Sequence, residues 1–195
     1  MKRLRTFIAL DLSKPVRDKA VALQESLARS GGEVKWVETE NLHLTLLFLG
    51  EVDDRDVPAV CRAVADRCRE HAPFPMSVAN VGCFGNPRRP RTIWIGIGEG
   101  ASEVVTLHDG LEETLLELGC YRREDRQFTP HITLGRVKHE GGSVDALAAL
   151  LAKKTDWQGG EVSVHEVLVM SSELTPQGPI YSVLSRAKLG SSSPP

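Results

Sequence analysis

The chain has 195 residues, of which 41% are hydrophobic and 26% are charged, and its formal net charge is −2. This composition is typical of a globular protein and excludes a bulk polycation, so any contact with nucleic acid must come from a local basic patch. No apolar run approaches the about 18 residues that a membrane-spanning helix needs, so we expect no association with a membrane.

The four cysteines are isolated in sequence: none forms a CxxC pair, and none lies near a histidine at zinc-finger spacing. We therefore expect free thiols in a reducing compartment, and hence a cytoplasmic protein. The apolar run in the opening MKRLRTFIALDL is too short for a signal peptide, because Asp11 interrupts it. The last residues, 190–195, have the composition of a disordered tail.

The hydrophobic pattern predicts strands alternating with helices along the whole chain. In the first half, strands are predicted at 5–12, 34–37, 42–49 and 76–84, and helices at 15–29 and about 53–70. In the second half, strands are predicted at 91–97, 128–137, 161–170 and 179–188, and helices at 102–118 and 143–154.

The two halves resemble each other. Their first strands begin with Arg-Thr-hydrophobic sequences that are 86 residues apart, and their central strands share His-hydrophobic-Thr-Leu sequences that are 88 residues apart. Two independent landmarks at nearly the same offset predict internal repeats over 5–84 and 91–170, with pseudo-twofold symmetry and an added strand at 179–188. Together with the order of elements, this favours an α+β or mixed α/β fold, whose sheets are covered by helices on the outside.

The repeated motif places polar side chains on one face of each central strand. Residues i and i+2 of a strand share a face, so His43 lies beside Thr45 and His131 lies beside Thr133, while the intervening apolar residues point to the core. A single His-x-Thr sequence in a strand is common and means little. Two copies at equivalent places of a repeat predict that two imidazoles and two hydroxyls line a central cleft.

This set of side chains suits phosphodiester chemistry. Histidine titrates near neutral pH, so one imidazole can accept a proton from water while the other donates a proton to the leaving oxygen. The hydroxyls of Thr45 and Thr133 can donate to phosphate oxygens, which stabilises charge in the transition state. The chemistry requires no nucleophilic side chain, metal ion or other cofactor. The spacing does not assign which histidine is the acid.

The motifs HLTLLFLG (43–50) and FTPHITLGR (128–136) resemble those of the two-histidine (2H) phosphoesterases. The opening RTFIALDL and the overall layout resemble the bacterial and archaeal branch, the RNA 2′,3′-cyclic phosphodiesterase or 2′-5′ RNA ligase-like (LigT) family, over about residues 3–187. The resemblance implies one bilobal domain over 1–189, with a cleft between two antiparallel or mixed sheets. It also implies hydrolysis of 2′,3′-cyclic phosphate ends of RNA to 2′-phosphomonoesters, with His43 as proton donor and His131 as proton acceptor.

Further residues are candidates for contact with RNA. Phe128 precedes His131 by three residues and could stack on a base at the mouth of the cleft. Arg136 and Arg126 could contact phosphates, although the parity of Arg136 is opposite to that of His131, which makes a solvated strand end an equal alternative. Phe48 also has core parity, so we expect it to pack in the core.

Other functions remain open at this point. The same site could run in reverse as a 2′-5′ RNA ligase, or the chain could be a non-catalytic module that binds RNA ends through the basic loops 88–91 and 122–123. A zinc hydrolase is disfavoured, because no carboxylate or further histidine accompanies either motif at ligand spacing. The expected partner is RNA or an oligonucleotide with a 2′,3′-cyclic phosphate end, bound by a monomer. The natural RNA and any base preference are not encoded in these motifs.

Overall fold

The computed structural model describes residues 2–123, 127–138, 144–176 and 178–190. Within these residues the α-helices are α1 (Lys14–Ala28), α2 (Val57–Cys68), α3 (Ala101–Glu117) and α4 (Asp145–Ala152). The strands are β1 (Arg3–Leu10), β2 (Val34–Trp36), β3 (Leu44–Asp53), β4 (Phe74–Asn86), β5 (Arg89–Ile97), β6 (His131–Val137), β7 (Gln158–Val164), β8 (Glu166–Thr175) and β9 (Gly178–Lys188). The predicted α+β class is confirmed. None of the described helices has the length and apolar character needed to cross a membrane.

The strands form one curled sheet in the order β7-β4-β5-β6-β3-β1-β8-β9, with β2 beside β6. All neighbouring strands are antiparallel. We call β3, β1, β8 and β9 the His43 half-sheet, and β6, β5, β4 and β7 the His131 half-sheet. The two half-sheets are joined where Leu44 of β3 pairs with Ile132 of β6. These two residues are equivalent in the repeat, 88 positions apart, so the pseudo-twofold axis passes between them.

Each half-sheet contains strands from both repeats. The last strand of the first repeat, β4, pairs with β5, which opens the second repeat, and β8 pairs with β1 in the same way. The prediction of a single strand over 161–170 is wrong, because β7 ends at Val164 and β8 begins at Glu166. Val164 pairs with Phe74 in one half-sheet and Glu166 pairs with Lys188 in the other, so the chain passes between half-sheets at His165.

The helices pack on one side of the sheet, as the alternating pattern predicts. Helix α2 contacts β8, β9 and α3, helix α4 contacts β4 and β5, and helix α1 contacts β7 and α4. The apolar residues that alternate with the motif side chains are buried: Leu44, Leu46, Ile132 and Leu134. The opposite face, which carries the histidines and threonines, is left free for a cleft.

The carboxyl-terminal tail predicted at 190–195 falls outside the described residues except for Gly190. The amide of Gly190 donates to the carbonyl of Cys68 at 3.1 Å, so this residue is anchored to the end of α2.

The buried pair on the pseudo-twofold axis should contribute to the stability of the fold as a core contact. The Leu44 side chain has 0% exposure, so Leu44→Ala should lower the free energy of unfolding by about 2–5 kcal/mol through lost burial and an unfilled cavity. The matched control Leu174→Ala removes the same atoms from a side chain that is 66% exposed and should change stability by less than about 1 kcal/mol. Urea unfolding measures both; equal effects would contradict a core centred on the axis.

Candidate active site

The pairing of Leu44 with Ile132 determines how the motif residues face one another. Continuing the antiparallel register by one residue puts His43 opposite Thr133 and Thr45 opposite His131. Opposite residues of antiparallel strands share a face, with Cα atoms about 4.5–5.5 Å apart. All four side chains line one cavity of about 1020 Å³. The structure therefore brings together the two His-Thr pairs that the sequence singles out.

Both imidazoles are held in the same tautomer by the backbone. The Nδ1 atom of His43 lies 2.7 Å from the carbonyl of Asn41, and that of His131 lies 2.7 Å from the carbonyl of Thr129. A carbonyl only accepts hydrogen bonds, so each Nδ1 must carry the proton, and each neutral ring presents Nε2 as an acceptor. The hydroxyl of Thr45 donates to Nε2 of His43 at 2.9 Å. A bound phosphate oxygen could take over this hydroxyl.

His43 lies in an aromatic setting that partly shields it from water. Its ring centroid is 5.0 Å from that of Phe7 and 5.4 Å from that of Tyr181, which meets it edge-on. This burial lowers the pKa of His43 below the ordinary value, against the opposing effect of the hydrogen bond to Asn41. The positive charge of Arg17 lowers the pKa further. In the free protein His43 is thus biased toward its neutral form.

Arg17 of α1 fixes the turn that orients His43. Its guanidinium donates to the carbonyls of Thr39 and Leu42, each at 2.9 Å. The turn between them contains Asn41, whose carbonyl holds Nδ1 of the histidine and whose side-chain amide donates to the carbonyl of Pro179 at 3.2 Å. Arg17 therefore connects α1 to the motif turn, and Asn41 connects that turn to the start of β9.

His131 has a different neighbour. Phe84 of β4 meets its ring edge-on, with centroids 4.8 Å apart and an interplanar angle of 89°. Behind Phe84 lies Trp94, at 5.5 Å between ring centroids. The two halves of the site are related by the backbone repeat but surrounded by different side chains.

Equivalent β-bulges interrupt both motif strands. The pairing of β3 with β1 skips Leu46, and the pairing of β6 with β5 skips Leu134, which lies 88 residues later. An extra residue reverses the side-chain alternation beyond the bulge. As a result Phe48 and Arg136, the residues five positions after each motif histidine, line the cavity.

The bulges determine the positions of Phe48 and Arg136, about which the sequence analysis made predictions. The prediction that Phe48 packs in the core is wrong: its side chain is 54% exposed, because Leu46 and Leu47 are both buried at the bulge and parity changes after them. Arg136, for which a solvated strand end was an equal alternative, faces the cavity.

The other RNA-contact candidates are placed elsewhere or are not placed. Phe128 is absent from the described lining of the cavity; its ring stacks on His108 at 3.9 Å between centroids and packs against the core. Proximity to His131 in sequence did not place it at the cleft mouth, because its ring stacks on the imidazole of His108 of α3. Arg126 lies outside the described residues.

The cavity is also lined by polar side chains that the sequence did not single out as candidate site residues. Arg5 and Lys35 add positive charge to that of Arg136, and Tyr181 contributes a phenol. Burial raises the pKa of Tyr181, whereas the nearby Arg136 and Arg5 oppose this rise. The available signal was the Arg-Thr opening of β1, which places Arg5 two residues before Phe7. In the part of the chain that the structure describes, no group of three or more His, Cys, Asp and Glu side chains could hold a metal ion.

Comparison with known proteins connects this geometry to a family. The family model described as LigT like Phosphoesterase matches the chain twice, at residues 10–94 and 95–181. An RNA 2′,3′-cyclic phosphodiesterase of Archaeoglobus fulgidus is 38% identical over 181 residues, covering 93% of this chain and 98% of that protein. The enzyme of the same name from Methanothermobacter thermautotrophicus is 37% identical over 180 residues, covering 92% and 96%.

Solved structures agree with the sequence relatives. A crystal structure from Thermus thermophilus has a TM-score of 0.82 and 30% identity, covering 97% of this chain and all of that chain (100%). The crystal structure of E. coli LigT complexed with 3′-AMP has a TM-score of 0.76 and 25% identity, covering 96% and 99%.

The environment of His43 predicts its titration. Its pKa should lie below 6.5, chiefly because of burial. The unfolded chain then binds this proton more readily than the folded protein. Because of His43, the free energy of unfolding should therefore rise with pH up to about 6.5 and no longer depend on pH above that value. NMR titration of the imidazole, assigned with His43→Gln, measures the pKa, and that variant should show a flatter dependence of stability on pH. A pKa at or above 6.5 would contradict the assigned burial.

Proposed function

This chain belongs to the LigT-like phosphoesterase family and is an RNA 2′,3′-cyclic phosphodiesterase, and we propose that His43 and His131 open the cyclic phosphate without a metal ion. The observation that carries this mechanism is the pairing of the two His-Thr motifs across Leu44 and Ile132, which gives one cavity two imidazoles; Nε2 of His43 is hydrogen-bonded to Thr45 within it. We also propose that residues 1–189 act as a single bilobal domain, as a monomer in the cytoplasm. The free state of the four cysteines supports a reducing compartment.

In the proposed reaction, Nε2 of His131 accepts a proton from a water molecule, whose oxygen attacks the phosphorus atom. The bond between phosphorus and the ribose O3′ breaks, and protonated His43 donates its Nε2 proton to O3′. The products are a 2′-phosphomonoester and a free 3′-hydroxyl. His131 then carries the proton that His43 has lost, and exchange with solvent restores the starting state. The roles of donor and acceptor follow the family resemblance.

Charge stabilisation is assigned to the threonines and the cavity cations. Thr45 and Thr133 would donate to the non-bridging oxygens of the phosphate, and Arg136 would supply a positive charge from the strand end. The negative charge of the bound phosphate would raise the pKa of His43, in opposition to the burial that lowers it in the free protein. His43 would thus become an effective acid mainly when substrate is present.

The nucleotide carrying the cyclic phosphate would bind against the apolar side of the same cavity. Phe48 is 54% exposed there, and Tyr181 lies beside His43. Aromatic faces of this kind stack on bases without strong sequence preference. We therefore propose the 2′,3′-cyclic end of an RNA strand as the substrate, with Phe48 as the base contact in place of Phe128.

The histidine roles can be separated by single variants assayed in excess EDTA on a 2′,3′-cyclic mononucleotide. Each of His43→Ala and His131→Ala should lose about 10²- to 10⁴-fold in rate. The residual activity of His131→Ala should fall as pH rises, because only the acid remains, and that of His43→Ala should rise with pH. If the pH dependences of the two variants were the reverse of these, His131 would be the acid and His43 the base. Wild-type rates in either variant, or loss of wild-type activity in EDTA, would refute the proposed pair.

The threonines distinguish this mechanism from a generic histidine cleft. Thr45→Val and Thr133→Val keep shape and β-branching but remove the donor, so kcat/KM should fall about ten- to a hundredfold, corresponding to about 1.5–3 kcal/mol, with little change in Tm. Thr→Ser at each position keeps the donor and should retain much more activity. Full activity in both valine variants would leave the threonines as strand formers only.

A further inference from the structure

The turn between β4 and β5 presents a concentrated positive charge. Arg88, Arg89 and Arg91 are all exposed, and segment 85–98 contains no acidic residue. The ion pairs found among the described residues involve none of these arginines. In a chain of net charge −2, this is the kind of local patch that contact with an RNA backbone requires.

Strand register connects this turn to the catalytic residues. Phe84 of β4 pairs with Thr92 of β5, and Thr92 pairs with Arg136 of β6, so the three form one row across the His131 half-sheet. In the neighbouring row Trp94 pairs with Thr133. Residues directly opposite one another share a face of the sheet. Because Arg136 and Thr133 face the cavity, Phe84 and Trp94 lie on the same concave face.

Phe84 is an exposed and well-supported ring. Its side chain is 39% exposed, and its edge-on contact with His131 places it directly beside the reacting centre. Trp94 supports it from behind and lies flat on Gly82, where a Cβ atom would be only 2.4 Å from the indole. The pairing of β4 with β5 skips Arg91, which forms a β-bulge beside Gly85. Beyond this bulge Asn86 pairs with Arg89, two residues after Phe84 along β4 and about 7 Å away at the usual strand rise.

We propose that this concave face binds the RNA strand that precedes the cyclic end. The penultimate base stacks on Phe84, and the phosphates upstream of it contact Arg88, Arg89 and Arg91; we call these four residues the Phe84–Arg91 track. The inference rests on the proposed function, because it takes the cyclic phosphate to lie between His43 and His131. Single-stranded oligonucleotides with a cyclic end should then be better substrates than cyclic mononucleotides, because only an oligonucleotide is long enough to contact the Phe84–Arg91 track.

A second route out of the site is less favourable. A groove of about 380 Å³ starts on the other side of Phe48, and its described lining includes Arg122 and the carboxylate of Glu51. Its charges largely cancel, whereas those of the turn between β4 and β5 add. Arg122 therefore serves as the comparison residue.

The decisive variant replaces Arg88, Arg89 and Arg91 with Gln. For a short single-stranded oligonucleotide with a 2′,3′-cyclic phosphate end, kcat/KM at low salt should fall about tenfold or more. Its dependence on salt should weaken by about 0.7 in log–log slope for each phosphate that the variant no longer neutralises. For a 2′,3′-cyclic mononucleotide kcat/KM should not change. The control variant replaces Arg29, Arg62 and Lys153, exposed cations at the helices, with Gln, and should leave both substrates unaffected.

Three results would overturn the track: no change on the oligonucleotide, an equal loss on both substrates, or a loss produced by Arg122→Gln instead. If the wild-type protein hydrolyses neither substrate, the proposed function fails by itself. The track is then tested by fluorescence anisotropy with a 3′-phosphorylated oligonucleotide. The triple Gln variant must bind this oligonucleotide at least about tenfold more weakly than the wild type.

The stacking contact has its own readout. With 2-aminopurine as the penultimate base, binding should quench its fluorescence in the wild type and in Phe84→Tyr, which keeps an aromatic face. Phe84→Leu keeps an apolar side chain but no ring, so it should bind without this quenching. Equal quenching in all three proteins would show that the base lies elsewhere.

Discussion

Leu44 and Ile132 form the backbone pair through which the two half-sheets meet, and both side chains have 0% exposure. Their burial decides which face of β3 and of β6 turns toward the helices, and the motif histidines and threonines are left with the opposite face. Because the two residues occupy the same position in the two repeats, the pair also sets each histidine opposite the threonine of the other motif. A hydrophobic contact thus determines the geometry of a polar site, with no catalytic side chain needed to hold the half-sheets together.

The features predicted from sequence are those encoded locally. The period of two in LHLTLLFL and in FTPHITLGRV, together with the repeat, was enough for the fold class, most elements and the two His-Thr pairs. The strict alternation of faces along a strand predicted the wrong side for Phe48, because the extra residue of a β-bulge is not visible in the sequence pattern. At the bulge in β6 the partner is distant in sequence: the carbonyl of Leu134 accepts a hydrogen bond at 2.9 Å from Gln24, which is 110 residues away.

The remaining surprises are also non-local. Neither the pairing of β8 with β1 nor the clamp of Arg17 on the turn before His43 leaves a trace in short-range patterns, because each joins segments distant in sequence. The misplacement of Phe128 has the same origin: the ring packs on His108 of another element and not on its sequence neighbour His131. Local patterns identified the two His-Thr pairs. Long-range packing determined which charged and aromatic side chains surround them.

The exchange of strands between the half-sheets has an evolutionary consequence. A chain containing one repeat would leave one edge of its first strand unpaired and would carry a single His-Thr pair, but two copies could complete each other as a strand-swapped homodimer across the axis at Leu44 and Ile132. Such a dimer would have two identical histidines. Gene duplication and fusion permit the halves to diverge: Phe48 occupies the place equivalent to Arg136, and the position equivalent to Arg17, 88 residues later, is Val105. Fusion thereby lets the surroundings of the two histidines differ, as the contacts of His43 with Tyr181 and of His131 with Phe84 do.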